Sequence, residues 1–374
     1  MVNIQSEAIK FWENLVNLEG RSDELECLNI VAEFMLKKFS ALGCNCSLMD
    51  TGGAPFFYGM YGEEKEDSRP ILLTGHYDTV FKKGTFGANP FRIEGNYAYG
   101  PGVLDMKGGI AIAYAVILSL KESDYTGRPI MLGFFGDEET GHVDSNALDV
   151  FRKACNTAEY AFNLETGNLD GSACIGRKGN TDYALVVKGK SSHPGKAFRD
   201  GISAIVEMSH KVVEFQNIIE DDLSRIINVG TIEGGTVSNC VPEMCTCRID
   251  TRYVTREDDR FIQESLQKIT DTEYMAGTKS TLERLSSLPA FEPSEEVYDF
   301  LNEVNAVLEA KGMEKIAGKI VGSASDASYL QEMGIKTLCG MGVYGEGNHS
   351  VNEYALVDSL MKRCDLITNF VKSK

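Results

Sequence analysis

The stretch at residues 70–81, PILLTGHYDTVF, decides how the first half of the chain is interpreted. Its apolar run ILL predicts a buried strand over residues 70–74, and His76 and Asp78 follow where that strand is predicted to end. In open α/β sheets, ligands bind beyond the carboxyl ends of the strands. A single histidine after a strand is more often an ordinary loop residue, so a site is predicted only if other segments supply partners for His76.

The apolar segments around this stretch predict a sheet of buried strands between helices. We predict further strands at residues 56–61, 130–135 and 160–164, and a buried helix at 109–120. Continuous apolar strands that alternate with helices favour a largely parallel or mixed sheet that is covered on both faces. The same style resumes near residue 293, with helices predicted at 294–310, 327–332 and 357–371 and a strand at 337–341.

The segment between these two parts has a different pattern. Its predicted strands alternate apolar and polar residues, which is typical of a sheet with one buried face. The order strand–helix–strand–strand–helix–strand predicts an α+β layer of the ferredoxin-like type, with strands at 181–190, 226–232, 243–252 and 281–285 and helices at 201–217 and 257–270. We therefore predict an α/β fold: a mixed-sheet α/β/α domain, residues 1–176 and 292–374, with an inserted α+β domain, residues 177–291.

The composition excludes several classes of protein. The length of 374 residues favours two domains, and 43% hydrophobic with 25% charged residues is typical of a globular protein. The net charge of −18 argues against a nucleic-acid partner, because phosphate binding needs a basic surface. The most apolar helix candidate has about twelve residues, too few to cross a membrane. The amino terminus has no basic start followed by an apolar core, so we expect a soluble, cytoplasmic protein without a membrane partner.

Five segments at predicted strand ends or in a glycine-rich turn carry histidine or acidic residues. They are TGHYDTVF, YGPGVLDMKGG, GFFGDEETG, AFNLETGN and GMGVYGEGNHSVNE, and they contain His76, Asp105, Glu138, Glu139, Glu165 and His349. Two imidazoles and several carboxylates suit a pair of divalent, zinc-like ions better than one ion, because each ion needs three or four ligands. Taken singly, each segment has an ordinary interpretation, such as a solvated acidic cluster or a helix cap. The prediction of a site depends on all five occurring in one chain.

The residue types also predict a separate role for each side chain in such a site. Asp105 could bridge two ions through its two carboxylate oxygens. Of the adjacent Glu138 and Glu139, one could bind an ion while the other takes a proton from water. Asp78 could orient the His76 ring without touching an ion.

The ordered motifs resemble those of the zinc-dependent exopeptidase family that contains glutamate carboxypeptidases, aminoacylases, succinyl-diaminopimelate desuccinylase and several dipeptidases. The resemblance covers nearly the whole chain. It implies a catalytic zinc-peptidase domain at 1–176 and 292–374, in which Glu138 is the general base and Asp78 orients His76. It also implies that Asp105 bridges two zinc ions and precedes a cis peptide bond. The implied metal ligands are His76, Asp105, Glu139, Glu165 and His349.

The resemblance gives the inserted domain, residues 177–291, the role of a lid and dimerisation domain. His193 in GKSSHPG is similar to the lid histidine, which in dimeric relatives reaches the partner's site and stabilises the oxyanion. Asn239 in GGTVSNCVPE and Arg252 in RIDTRY match substrate-binding positions, and a guanidinium can grip a carboxylate through two bonds. Two features depart from the family pattern: His142 stands where many members have serine, and the SASDAS segment around Asp326 matches only loosely.

We therefore predict a cytoplasmic, homodimeric hydrolase with two Zn²⁺ per chain, or Co²⁺ or Mn²⁺ in their place. It is predicted to cleave an amide bond next to a free carboxylate in short peptides, as a carboxypeptidase, dipeptidase or tripeptidase does. An N-acyl-amino-acid deacylase is the alternative enzyme. A non-catalytic dimeric binding module of the same fold is the alternative from another class. Glu165 favours a peptidase over a deacylase within the resemblance.

Overall fold

The computed structural model describes residues 2–63, 68–219 and 223–374. The chain divides into two compact units. Unit 1 consists of Met1–Ile175, Pro293–Ile320 and Tyr329–Lys374, and unit 2 consists of Gly176–Glu292 and Val321–Ser328. No helix among the described residues has an apolar stretch of the length that a membrane crossing requires.

The elements follow one another in a largely alternating order. In the described residues, the α-helices are α1 Ile4–Asn17, α2 Leu25–Ala41, α3 Lys107–Glu122, α4 Ala147–Ala154, α5 Pro194–Ala197, α6 Ala204–Gln216, α7 Arg256–Asp271, α8 Glu295–Ala310, α9 Ala327–Glu332 and α10 Val357–Ser373. The strands are β1 Asn45–Met49, β2 Phe56–Tyr61, β3 Ile71–His76, β4 Arg92–Glu94, β5 Tyr97–Tyr99, β6 Ile130–Phe135, β7 Tyr160–Asn163, β8 Ala173–Arg177, β9 Gly179–Lys188, β10 Arg225–Gly234, β11 Met244–Tyr253, β12 Lys279–Leu288, β13 Gly318–Val321, β14 Lys336–Leu338, β15 Gly345–Glu346 and β16 Tyr354–Leu356.

Unit 1 is built on a mixed six-stranded sheet in the order β1-β2-β6-β3-β7-β14. The strands β6, β3, β7 and β14 are parallel, whereas β2 runs antiparallel to both β1 and β6. Every residue of β3, β6 and β7 is buried, as expected for parallel strands with covered faces. The predicted mixed-sheet α/β class is confirmed.

Helices α1 and α2, for which the sequence analysis made no prediction, complete the core of unit 1. The Asn3 side chain accepts a hydrogen bond from the backbone N–H of Ser6 and so caps the first turn of α1. Phe11 of α1 stacks on Tyr114 of α3 with 4.3 Å between ring centroids. This contact buries the apolar stripe of α1 against the almost wholly buried helix α3.

A small sheet in the order β15-β16-β5-β4 brings together two distant parts of unit 1. Strand β5 leads into the glycine-rich turn that contains Asp105, and β16 follows the loop that contains His349. The two strands pair antiparallel, with Ala355 opposite Ala98. The loops that flank this pair are therefore neighbours, although about 250 residues of chain separate them.

Unit 2 is a four-stranded antiparallel sheet in the order β10-β11-β9-β12. Helices α6 and α7 cover one face, where Met208, Phe215, Ile262 and Leu266 pack with the inward side chains of the strands. The order strand–helix–strand–strand–helix–strand within this unit agrees with the predicted ferredoxin-like layer. The opposite face of the sheet is mainly polar, although it also carries Ala184, Val186 and Met244.

Several predicted strand boundaries are wrong by two or more residues, and three of these differences have a clear physical cause. Strand β3 continues to His76, two residues past the predicted end, because it stays paired with β6 as far as His76 opposite Phe135. Strand β14 ends at Leu338 and not at residue 341, because Gly340 takes a positive φ of 65° and turns the chain. Strand β12 spans Lys279–Leu288, longer than predicted, because its pairing with β9 continues past a bulge at Arg284.

Candidate metal centre

The carboxyl ends of three adjacent parallel strands position the first part of the site. His76 is the last residue of β3, Glu138 opens a short 3₁₀ helix after β6, and Glu165 follows β7 by two residues. Because β6, β3 and β7 are neighbours and run in the same direction, their ends lie at one edge of the sheet. The side chains that follow them therefore converge.

The first donor set consists of His76, Asp105 and Glu165, all buried. The Nε2 atom of His76 lies 3.3 Å from Asp105 Oδ1 and 3.5 Å from Glu165 Oε1. Glu138 lies at its margin, with Oε2 3.9 Å from the same Nε2 atom. One imidazole nitrogen thus faces three carboxylates.

The second donor set consists of Asp105, Glu139 and His349. The Nε2 atom of His349 lies 3.0 Å from Glu139 Oε2 and 3.4 Å from Asp105 Oδ2. Asp105 belongs to both donor sets and turns one oxygen toward each. The side chain of His349 is 55% exposed, whereas that of His76 is 1% exposed, so the centre opens to solvent on the His349 side.

These residues fit a pair of divalent cations. In each donor set, one imidazole nitrogen and two carboxylate oxygens lie within 4.8 Å of one another. Nitrogen and oxygen ligands of this kind suit zinc and similar first-row ions, and the absence of thiolate from both sets leaves cobalt and manganese as alternatives.

The carboxylates that surround the two histidines shift the pKa values of the side chains in both donor sets. The carboxylates of Asp105 and Glu139 raise the pKa of His349 to about 10. Burial works against a charge on His76, but the carboxylates of Asp105 and Asp78 hold its pKa well above the usual value. Burial raises the pKa of Glu139, against the effect of His349. The carboxylates therefore favour a positive charge at both imidazoles, and metal ions would supply it in place of protons.

The sequence match to known proteins agrees with this chemistry. The model of peptidase family M20/M25/M40 matches residues 72–373, which include every residue of both donor sets. The chain belongs to peptidase family M20/M25/M40. Membership of M20/M25/M40 makes it a hydrolytic enzyme of a metallo-exopeptidase family and favours catalysis over a purely binding role.

Individual relatives of this M20/M25/M40 chain extend over almost its full length. Carboxypeptidase G2 of Pseudomonas sp. (strain RS-16) is 28% identical over 96% of this chain and 87% of the relative. Succinyl-diaminopimelate desuccinylase of Ehrlichia canis is 23% identical over 92% of this chain and 93% of the relative. The structure of aminopeptidase PepT from Bacillus cereus superposes with a TM-score of 0.82 at 22% identity and covers 98% of both chains. This superposition supports the two-domain M20 fold.

Asp78 supports the candidate metal centre from the side of the His76 ring that faces away from the donor sets. Its Oδ1 atom lies 3.1 Å from Nδ1 of His76, on the opposite side of the ring from the donor sets. The same carboxylate accepts hydrogen bonds from the backbone N–H groups of Glu138 and Glu139, at 3.3 and 3.2 Å. Ser22 donates its hydroxyl to Asp78 at 2.6 Å. Asp78 therefore fixes both the His76 ring and the turn that carries Glu138 and Glu139. The sequence did not predict the contribution of Ser22, because no local motif marks this residue.

The turn that carries Asp105 is packed closely against β3. The peptide bond between Asp105 and Met106 is cis, as the family resemblance implies. A Cβ atom at Gly75 would lie 2.1 Å from the Met106 sulfur, and the φ of 156° at this position also favours glycine. Asn348 donates to Asp105 Oδ2 at 2.9 Å, a contact that the sequence analysis missed although Asn348 adjoins His349 in the quoted motif.

His142, the first departure from the family pattern, lies beneath the turn of the two glutamates. Its Nδ1 atom is 2.8 Å from Oδ1 of Asp137, and its ring lies against Phe135 with 4.6 Å between centroids. Ser145 donates its hydroxyl to the other Asp137 oxygen. Asp137 directly precedes Glu138, so His142 and Ser145 support the turn without joining either donor set.

The predicted lid residues all lie in unit 2. His193 is exposed and caps the short helix α5, where its Nδ1 atom accepts from the backbone N–H of Gly195. Asn239 lies on an exposed turn. A backbone bridge between Ser192 and Val241 places the His193 and Asn239 segments side by side. These two predicted residues are therefore close in the fold of unit 2.

Arg252 and Asp326 differ in their surroundings. Arg252 lies on the polar face of the unit 2 sheet and forms a paired contact with Asp250, with Nη2 3.0 Å from Oδ1 and Nε 3.1 Å from Oδ2. This contact uses one side of the guanidinium and leaves its outer end for a second carboxylate. Asp326 is 3% exposed, so it is a buried residue of unit 2.

Proposed function

We propose that the chain is a dinuclear, zinc-dependent exopeptidase that cleaves an amide bond next to a free carboxylate in short peptides. The observation that carries this proposal is the shared position of Asp105, whose two oxygens face His76 and His349. The proposed ligands are His76, Asp105 and Glu165 for one ion, and Asp105, Glu139 and His349 for the other.

The chain's own residues are proposed to orient the ligands and move the proton. When bound, the two ions supply Lewis acidity, which polarises the scissile carbonyl and makes water nucleophilic near neutral pH. Glu138 takes a proton from water at its carboxylate and delivers it to the leaving amine. Its position supports this role, because its carboxylate lies beside the first donor set but outside both sets. Asp78 keeps His76 in the tautomer that turns Nε2 toward the centre.

The outer end of Arg252 is proposed to select substrates with a terminal carboxylate. Asp250 holds the guanidinium by its other side, so its orientation is fixed before substrate arrives. The relative named carboxypeptidase favours a peptide substrate. The relative named desuccinylase supports an N-acyl-amino-acid deacylase as the second candidate, because the same carboxylate contact would serve an N-acyl amino acid.

We further propose that residues 177–291 form the lid and dimerisation domain of a cytoplasmic homodimer. His193 and Asn239 lie on exposed adjacent segments of unit 2, where a substrate or a second copy can reach them. The partner subunit's His193 would stabilise the oxyanion of the tetrahedral intermediate. None of the ten cysteines, all of which lie in the described residues, forms a disulfide bond, which suits a reducing compartment.

Metal analysis and the variant Glu138→Gln test the proposed function together. We expect about two ions per chain in the wild type, and a loss of at least about 100-fold in kcat for Glu138→Gln, because a general base contributes that much. The variant should keep its metal content, since Glu138 belongs to neither donor set.

The matched control is Glu346→Gln, an exposed glutamate that accepts a bond from the Tyr354 hydroxyl. It should retain wild-type turnover. The assay compares dipeptides, tripeptides and N-acyl amino acids, each as a free carboxylate and as a carboxamide. Turnover of Glu138→Gln at the wild-type rate would contradict the base, and equal rates on carboxylates and carboxamides would contradict the role of Arg252.

A further inference from the structure

Glu353 is a buried carboxylate that belongs to neither donor set. Its side chain is 1% exposed, and it lies four residues after His349 and directly before β16. Its Oε1 atom accepts hydrogen bonds from the backbone N–H groups of Leu104 at 2.6 Å and Asp105 at 2.9 Å. Its Oε2 atom accepts from the N–H of Gly102 at 3.2 Å. One side chain thus satisfies three backbone donors of the turn that carries Asp105.

The backbone of Glu353 belongs to the loop that carries His349 and is held there by hydrogen bonds. The backbone N–H of Glu353 donates to the carbonyl of Ser350 at 3.0 Å, and the N–H of Ser350 donates to the carbonyl of Gly347 at 2.9 Å. These bonds fold residues 347–353 into consecutive tight turns. His349 lies within them and takes a positive φ of 62°, so its position depends on the same folded loop.

We propose that Glu353 is a positioning residue that sets the separation of Asp105 and His349 and thereby keeps the second donor set in metal-binding geometry. The inference rests on the proposed metal centre. Asp105 and His349 come from loops that share no strand of the main sheet, and Glu353 connects the backbone of one loop directly to the other. Without it, three N–H groups of a buried turn would lack acceptors and the turn would have to move.

Metal affinity of the variant Glu353→Ala tests this role. Removing a residue that supports a metal ligand typically lowers metal affinity 10–100-fold. We therefore expect the dissociation constant of one of the two ions to rise at least about tenfold. The affinities are measured by equilibrium dialysis of the full chain against buffered Zn²⁺, with the melting temperature recorded in chelator and in Zn²⁺. The matched control Glu346→Ala, at an exposed residue of β15 just before the loop that carries His349, should bind both ions as the wild type does.

Two conservative variants keep the test decisive if Glu353→Ala does not fold. Glu353→Gln keeps an acceptor at the original length: its amide oxygen can still take the two shorter bonds from Leu104 and Asp105, and only the 3.2 Å bond from Gly102 is lost. Glu353→Asp keeps a carboxyl group but ends one methylene short of the three donors. We expect Glu353→Gln to bind both ions within about threefold of the wild type and Glu353→Asp to lose at least about tenfold.

The opposite order, with Glu353→Asp binding better than Glu353→Gln, would show that the carboxyl group and not its reach matters and would overturn the inference. Wild-type affinity for both ions in folded Glu353→Ala would also overturn it. That result leaves the proposed function intact, whereas a wild type that binds no divalent ion refutes the metal centre and this inference with it.

Discussion

The two imidazoles of the centre differ in exposure but share one electrostatic environment. His76 is buried and His349 is half exposed, yet carboxylates raise the pKa of both above the usual value of about 6.5. In the ion-free protein, the pKa of about 10 keeps the His349 ring protonated at pH 7, and the upward shift at His76 favours its protonated form as well. Because the folded pKa of His349 exceeds its unfolded value, this group stabilises the ion-free fold fully below about pH 6.5 and loses that effect as pH rises through about 10.

Metal binding should consequently release protons. A metal ion takes the lone pair of a neutral imidazole, so each bound ring must lose its proton. We expect at least about one proton per chain to be released at pH 7, the one carried by His349, and less release above pH 10. Titration calorimetry of Zn²⁺ binding in buffers of different ionisation enthalpy measures this number.

The control for this prediction is His349→Ala, which should reduce the release by about one proton. Release that does not depend on His349 would show that its proton is absent before the metal binds. A lower release for the wild type near pH 7 than near pH 10 would contradict the direction of the pKa shifts.

At the level of elements, five of the six strands in the main sheet of unit 1 were predicted, whereas β1 and the strands of the smaller sheets were not. The apolar runs of β3 and β6 depend on local composition alone, and the parallel sheet brings their ends together. The direct participants of the candidate site therefore came from short motifs at strand ends, except for Asp105, which came from a glycine-rich turn. Helices α1 and α2 received no prediction, although the burial of Phe11 and Trp12 shows that α1 is part of the core.

The supporting contacts were not predictable from local sequence. Ser22 reaches Asp78 from 56 positions away, and Glu353 reaches Asp105 from 248 positions away. A serine or glutamate in a turn has many solvated uses, and only the folded chain selects its partner. His142 is a partial exception: its departure from the family pattern marked it, but only the structure assigns it to Asp137.

Helix α6 contains a buried ion pair that its sequence does not predict. Glu207 and Lys211 are spaced four residues apart, which usually indicates a solvated pair, but both side chains are fully buried and lie 2.9 Å apart. Lys211 also donates to the carbonyls of Ile269, Thr270 and Thr272, and Glu207 accepts from backbone N–H groups just beyond. The pair therefore anchors the connection between α7 and β12.

Replacing only Lys211 should destabilise unit 2 strongly. Lys211→Met leaves the Glu207 carboxylate buried without its cation, and breaking such a pair costs about 3–5 kcal/mol. We expect the free energy of unfolding, measured by urea titration, to fall by that amount. Lys268→Met, an exposed lysine in the last turn of α7, is the matched control and should change it by less than about 0.5 kcal/mol. A loss for Lys211→Met no larger than that of the control would contradict the anchoring role.

For the whole molecule, unit 2 offers a surface that suits a second copy. Strand β10 is an edge strand of its sheet, and α6 exposes Val206 and Val213, at 43% and 63%, seven residues apart on one helical face. Ile205 of the same helix lies beside Gly234 and Gly235 at the end of β10. An open strand edge next to exposed apolar side chains is a typical site of self-association, because pairing satisfies the edge and covers the apolar surface.

The proposed exchange of His193 between subunits predicts complementation between two inactive variants. Glu138→Gln lacks the base but retains His193, and His193→Ala retains the base but lacks the lid histidine. In a mixed dimer, the site that keeps Glu138 would receive His193 from the other chain and become active. Random pairing makes about half of the dimers mixed, and each mixed dimer has one complete site out of two. Co-expression should therefore restore about a quarter of wild-type activity.

Charge at the proposed interface provides the control for this experiment. Val206→Glu together with Val213→Glu should prevent pairing, because buried like charges oppose each other across a two-fold axis, and should therefore abolish complementation. Ile30→Glu, at an equally exposed position on α2 of unit 1, should leave it unchanged. Light scattering on the same samples reports the mass of the assembly. Mixed dimers without recovered activity would show that each His193 acts in its own chain, and a monomeric wild type would remove the partner from the mechanism altogether.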